Sequence, residues 1–197
     1  MQNLNEGFWS SRYKSGLVGW DLGTPSPPLY QYLCQLDTKT IAVLVPGAGN
    51  AHEITAAWDL GFQNIHLLDF SLLPINNFLK KNPVFPKDQI HHQNFFEHSG
   101  SYDLILEQTF FCALDPGLRP KYAEKMFELL KPEGRVVGVL FDRSFSHVGP
   151  PFGGSSTEYR AYFEPFFKLE KFEPCYNSIP ARMGSELFIN MKKRLNR

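Results

Sequence analysis

Five apolar residues in a row, Ile41 to Val45, run directly into Pro46-Gly47-Ala48-Gly49-Asn50. A continuous apolar run of that length reads as a strand buried on both faces, as in a parallel sheet. The glycines at its end let the backbone turn tightly and approach a ligand closely. Beyond them Ile54, Ala57, Trp58 and Gly61 follow a helical pattern, with Asn50 and Glu53 ahead of it. Strand, Gly-x-Gly turn and helix together outline a nucleotide-shaped cleft. The next apolar run, Ile65 to Leu68, stops at Asp69, roughly 20 residues past the first glycine, where a carboxylate reaches a ribose hydroxyl.

The type of nucleotide follows from what is missing. A dinucleotide fingerprint needs a third glycine, for close helix packing and room for a pyrophosphate at the helix N-terminus. His52 stands in that position and Glu53 sits in the first turn. A carboxylate there repels a diphosphate but does not oppose a cation. S-adenosylmethionine, with adenosine, no phosphate, a sulfonium and an amino acid, suits such an entrance better than a nicotinamide or flavin dinucleotide. A glycine-rich turn without any ligand is the remaining alternative.

Strand and helix alternate through residue 141, which predicts an α/β fold with a doubly wound parallel sheet. Strands are expected at 41–45, 65–68, 88–91, 103–107 and 134–141, and helices at 29–36, 72–80 and 119–130. Lys131-Pro132-Glu133-Gly134 should stop the last of these helices. A further short amphipathic helix is expected over 4–16, with Phe8, Trp9, Tyr13 and Leu17 toward one side. Two late strands, Phe167 to Phe172 and Glu186 to Met191, have no long helix between them and should pair antiparallel.

Several segments in order carry a resemblance: Phe8-Trp9, Trp20-Asp21-Leu22-Gly23, Val45 to Asn50, Leu68-Asp69-Phe70-Ser71, Asn94-Phe95-Phe96-Glu97, Gln108 to Leu114 and Gly149-Pro150-Pro151-Phe152. Together they resemble the thiopurine S-methyltransferase family, in particular its branch of plant and bacterial halide and thiol methyltransferases. The resemblance implies the seven-stranded, Rossmann-like class I methyltransferase fold with its last strand inserted antiparallel. It implies S-adenosylmethionine as methyl donor, S-adenosylhomocysteine as product, and one domain over 1–197 in which 1–36 forms a lid on a core of 37–197. Trp9, Tyr13 and Trp20 correspond to lid residues over the cofactor. Gly47, Ala48, Gly49, Asp69, Phe70, Asn94, Phe95, Phe96 and Gln108 correspond to its binding residues. Phe110, Phe111, Pro150, Pro151 and Phe152 would line an apolar acceptor pocket.

Three positions depart from the family pattern. Asn94 replaces an acidic residue that holds adenine; an amide donates as well as accepts, so binding need not be lost. Tyr13 stands where the halide branch usually has tryptophan. Gln108 stands where the thiopurine branch has arginine, an anchor for anionic aromatic substrates, which argues against thiopurines as preferred acceptors. Gln108 and Tyr13 are also the two candidate catalytic residues.

Composition narrows the function further. Of 197 residues, eighteen are Phe and three are Trp, an excess that suits both core packing and a pocket for a soft or flat ligand. The formal net charge is zero, which favours neither nucleic acid nor an anionic membrane as partner. Cys34, Cys112 and Cys175 are scattered, which argues for a reducing compartment and against zinc. His91, His92 and His98 lack a partner set at metal-ligand spacing, so no metal is expected. No segment reads as a secretion signal or membrane span. The expectation is a cytoplasmic enzyme, monomeric or weakly dimeric, acting on a small molecule. Its acceptor would be a thiol, hydrosulfide, thiocyanate or halide, methylated by in-line displacement. The alternatives are an O- or N-methyltransferase using Glu107 or Tyr13 as base, and a non-catalytic module that binds the same cofactor.

Overall fold

A computed structural model describes residues 4–195; the first three residues of the expected lid segment and the last two of the chain lie outside the described residues. The elements run α1 (Glu6–Lys14), α2 (Pro27–Cys34), β1 (Val43–Pro46), α3 (His52–Asp59), β2 (Ile65–Asp69) and α4 (Leu72–Lys81). They continue with β3 (Ile90–His92), β4 (Tyr102–Gln108), α5 (Arg119–Leu129), β5 (Leu130–Phe141), α6 (Ser156–Phe163), β6 (Phe167–Pro174) and β7 (Glu186–Lys193). The sheet has seven strands in the order β3-β2-β1-β4-β5-β7-β6. The first five are parallel, and β7 lies antiparallel between β5 and β6. This is the mostly parallel sheet with an inserted antiparallel strand that the sequence implies.

Alternation along each strand divides the apolar residues between two layers, because successive side chains leave a strand on opposite faces. Leu44, Ile105 and Val136 join Tyr122, Met126, Tyr159 and Phe163 of α5 and α6. Val43, Val45, Leu104, Leu106 and Val137 join Leu33, Ile54 and Phe78 of α2, α3 and α4. Burial on both faces is why β1 and β4 read as near-continuous apolar runs.

Three local expectations need correction. Helix α1 is not amphipathic toward a core: Leu17 lies beyond it and is 60% exposed, while its buried residue is Ser10. Ser10 Oγ lies 2.8 Å from Ser71 Oγ, which docks α1 on the start of α4. The stop after α5 is also more than a turn. Tyr102 pairs with Leu130 and Leu104 with Arg135, so part of Lys131 to Gly134 bulges out of the ladder, with Glu133 at a φ of 65°. Finally, α6 fills the connection between β5 and β6 that had no expected helix. Its signal was the spacing of Ser155 and Glu158, a Ser-x-x-Glu start: Ser155 Oγ accepts from Glu158 N at 3.3 Å.

Imidazoles cluster behind β2 and β3. His66 Nδ1 lies 3.0 Å from His91 Nε2, and His66 Nε2 lies 2.8 Å from Asn64 Oδ1. The His91 ring packs 4.7 Å from that of His98, whose Nε2 is 2.7 Å from Tyr102 Oη. Burial first, and mutual repulsion second, lowers the pKa of His66 and takes His98 to about 4; burial lowers that of His91. A histidine held neutral in the fold must charge on unfolding at roughly 6.5 and below. Its stabilisation is therefore present above that pH and lost on acidification toward about 4 for His98. Buried carboxylates with raised pKa values work in the opposite direction, so the test is differential. The stability of the protein relative to His98→Phe, read from urea midpoints, should fall from pH 7 to pH 5; a constant difference would contradict a neutral buried His98.

Candidate active site

In a parallel sheet the ligand crevice lies beyond the carboxyl ends of the strands. A cavity of about 500 Å³ opens there, a size typical of small-molecule sites. Its floor is the turn after β1. Gly47 and Gly49 adopt φ values of 59° and 55°, the left-handed region that glycine enters without steric cost. A Cβ on Gly47 would collide with the Phe110 ring, and one on Gly49 would meet Tyr13 Oη at 2.6 Å. Both glycines thus make room for side chains from other walls of the crevice.

Asp69, at the end of β2, is 8% exposed. Its Oδ2 accepts from Gly49 N at 2.9 Å and its Oδ1 from Ser71 N at 2.8 Å. Burial raises its pKa, and the hydrogen bonds from Ser71, Gly49 and Phe70 oppose that rise. Glu53, at the start of α3, is also buried and accepts from Ser26 N at 2.9 Å; burial raises its carboxyl above the usual range. The helix entrance is therefore acidic.

The aromatic roof comes from α1 and the segment after it. Trp9 and Trp20 meet edge to face at 5.3 Å between centroids, and Tyr13 and Trp20 at 5.6 Å. Trp20 Nε1 donates to Tyr13 Oη at 3.4 Å. Burial raises the Tyr13 phenol well above its ordinary value, so the hydroxyl stays protonated. An ion pair fastens the roof to the floor: Asp21 Oδ1 lies 2.7 Å from His52 Nε2, while Asn50 Nδ2 and Gly23 N also donate to Asp21. The hydrogen bond to His52 is the largest influence lowering the Asp21 pKa, and its reciprocal raises that of His52. His52 was conspicuous in the sequence as the missing third glycine; nothing in the sequence showed its partner.

The far wall is the connection from β4 to α5. Glu107 is fully buried, and its Oε1 accepts from Phe110 N at 2.8 Å and Phe111 N at 2.9 Å. Its Oε2 accepts a hydrogen bond from Tyr122 Oη. Burial raises Glu107 to about 7 against those hydrogen bonds. The clamp sets Thr109 at a φ of 56° and leaves Gln108 in the crevice wall. Gln108 Oε1 is buried with no hydrogen-bond partner, an exception among buried polar groups. Cys112 also lines the crevice, and burial pushes its thiol up to about 12.

The crevice brings together Trp9, Tyr13, Trp20, Gly47, Ala48, Gly49, Asp69, Phe70, Asn94, Phe95, Phe96, Gln108, Phe110, Pro150 and Pro151. Asn94 Oδ1 accepts from Phe96 N at 3.0 Å, which leaves its amide nitrogen for other partners. Two expected residues are elsewhere. Phe111 is 1% exposed and packs on Tyr122, Tyr159 and Phe163 in the core. Phe152 lies outside the lining; its backbone N donates to Cys112 O at 2.7 Å, and its ring packs over Gly149. Both support the wall from behind. The sequence reading missed Gln93, Leu114 and Leu118 as lining residues, for which no local pattern gives a signal. Among the described residues, no group of three or more His, Cys, Asp or Glu is placed to hold a metal, and no helix is long and apolar enough to cross a membrane.

Comparison with known proteins agrees with this geometry. The family model described as thiopurine S-methyltransferase matches residues 4–186. A probable thiol methyltransferase 2 of Arabidopsis thaliana is 31% identical, over 84% of this chain and 75% of that protein. Thiocyanate methyltransferase 1 of the same plant is 26% identical, over 98% of this chain and 87% of that one. Among solved structures, the 1,6-didemethyltoxoflavin-N1-methyltransferase of Burkholderia thailandensis superposes with a TM-score of 0.77, covering 96% of this chain and 87% of that chain. Its 15% identity makes that a likeness of fold. By sequence and by architecture, the chain belongs to the thiopurine S-methyltransferase family and is a methyltransferase.

Proposed function

We propose that the protein transfers the methyl group of S-adenosylmethionine to a small soft nucleophile (a thiol, hydrosulfide, thiocyanate or halide) by in-line displacement. The observation that carries this reading is the crevice itself. It joins a glycine turn with no space for a Cβ, a buried carboxylate at the end of β2 and an aromatic roof, and among the described residues no Lys or Arg lines it. A cationic, phosphate-free adenosyl compound fits that inventory.

Asp69 uses one lone pair on each oxygen for backbone donors, and the remaining ones accept from ribose hydroxyls. Charge-assisted bonds of this kind contribute about 1.5–3 kcal/mol each. Asn94 presents its amide to the adenine edge, with Phe95 and Phe96 beside the ring. Trp9, Tyr13 and Trp20 form a lid; an aromatic face next to a sulfonium contributes about 0.5–2 kcal/mol. The bound cofactor supplies a methyl group already activated by positive sulfur. The chain's task is then alignment in a dry site, which supplies roughly 7–11 kcal/mol of barrier lowering. Gln108 orients the nucleophile, and Phe110 and Pro150-Pro151 exclude water around it.

No base is required when the nucleophile is already an anion, and a thiol with a pKa of about 8.5 needs only partial ionisation. The rival O- or N-methyl transfer would need a base at the acceptor. Glu107 does not line the crevice, and its oxygens are engaged by Phe110, Phe111 and Tyr122. Tyr13 is held protonated.

With S-adenosylmethionine and hydrosulfide, thiols or iodide, mass spectrometry should find the methylated product and S-adenosylhomocysteine in equal amounts. Tight cofactor binding without turnover on any of them would contradict the reading. For an alkyl thiol, kcat/KM should rise tenfold per pH unit up to the thiol's own pKa and then level, whereas iodide should give a flat profile. A bell set by an enzyme group would favour the base-catalysed rival. Asp69→Ala should weaken S-adenosylhomocysteine binding by one to two powers of ten in calorimetry, with folding checked by circular dichroism; unchanged affinity would remove Asp69 from the ribose.

A further inference from the structure

The charge inventory of the acceptor wall narrows the substrate class beyond a soft nucleophile. Among the described residues, five carboxylates line the crevice: Glu6, Asp21, Glu53, Asp69 and Asp115. His52 is the single basic residue among the described lining residues, and it is held by Asp21 at 2.7 Å. The segment from Gln108 to Leu118 contains Asp115 and no Lys, Arg or His. Pro150 and Pro151 complete that wall.

The cations nearest in sequence point elsewhere. Arg119 directly follows this segment but is 1% exposed. Its guanidinium donates to Glu158 Oε1 at 2.7 Å and Gly153 O at 2.8 Å, and lies over the Phe111 and Tyr159 rings behind the wall. Arg182 donates to Trp20 O at 2.9 Å and pairs with Glu186. Lys121 stands over the Phe96 ring. The Gln108 carboxamide is a polar group of this wall left to an acceptor, and its NH2 is the end that can donate to an anion.

From this, and resting on the methyl-transfer reading above, we infer that the site selects acceptors by charge. It takes a nucleophile whose only negative charge is that of the reacting group and rejects one carrying a second, spectator anion such as a carboxylate or phosphate. The cofactor's sulfonium compensates the first charge. A second would be desolvated against apolar walls and carboxylates with no partner, which is costly. Hydrosulfide, small neutral-bodied thiols and halides satisfy the rule; mercapto acids do not.

The test compares 4-methylbenzenethiol with 4-mercaptobenzoate at a pH where both thiols are ionised. The two differ by a methyl against a carboxylate remote from sulfur. The inference expects kcat/KM for 4-mercaptobenzoate to be at least tenfold lower, with a gap that narrows as salt screens the repulsion. Leu118 lines the mouth and is 38% exposed, so Leu118→Arg adds a cation without burying it. That variant should raise the ratio of kcat/KM for 4-mercaptobenzoate to that for 4-methylbenzenethiol at least fivefold. Equal kcat/KM for the two thiols, or a variant that changes both alike, would overturn charge selection. A protein that binds S-adenosylhomocysteine yet methylates neither thiol nor hydrosulfide would instead overturn the soft-nucleophile reading, and this inference with it.

Discussion

The hydrogen bond from Gly49 N to Asp69 Oδ2, 2.9 Å long, joins the carboxyl ends of β1 and β2, and the rest of the site is arranged around it. It fixes a left-handed glycine turn in which a side chain has no room, because Tyr13 and Phe110 occupy the space. One short turn therefore determines where the roof and the far wall meet the floor. A carboxylate buried in this way is expensive unless donors satisfy it. Backbone N–H groups of Gly49, Ser71 and Phe70 do so here.

A second buried carboxylate organises the opposite wall. Glu107 gathers Phe110 N, Phe111 N and Tyr122 Oη, which turns the chain sharply after β4 and leaves the Gln108 side chain without a protein partner. Gly138 on the neighbouring strand makes this possible: a Cβ there would come within 2.5 Å of Glu107 Cβ and O. The division of labour is physical. Glu107 spends its oxygens on the fold, Asp69 lines the crevice while bonded to backbone donors, and Gln108 Oε1 has no partner. A displacement at an activated methyl group asks for positioned, dry and correctly charged surroundings rather than for a protein base.

The parallel part of the fold was legible because burial on both faces leaves a periodic or continuous apolar mark on β1, β2, β4 and β5. The antiparallel pair β6 and β7 was legible from two strand-like runs without an intervening helix pattern. What escaped was decided by contacts distant in sequence. Trp9 and Tyr13 of α1 border the crevice as the resemblance implied, but the buried contact of that helix, Ser10 to Ser71, joins residues 61 apart. Phe111 and Phe152 share a segment type with their lining neighbours Phe110 and Pro151. The clamp on Glu107 turns Phe111 inward, and the bond from Phe152 N to Cys112 O places Phe152 behind the wall. The pairing of Asp21 with His52 spans 31 residues and has no local signature.

The central claim is that this crevice holds a cationic adenosyl methyl donor with its ribose on Asp69 and its sulfur toward Gln108. A crystal structure of the protein with S-adenosylhomocysteine tests it most directly. The account predicts ribose hydroxyls within hydrogen-bond distance of Asp69, the backbone of Gly47 to Gly49 against the ligand, and its sulfur facing the Gln108 and Phe110 wall. Ligand density at another place, or a ribose turned away from Asp69, would contradict it.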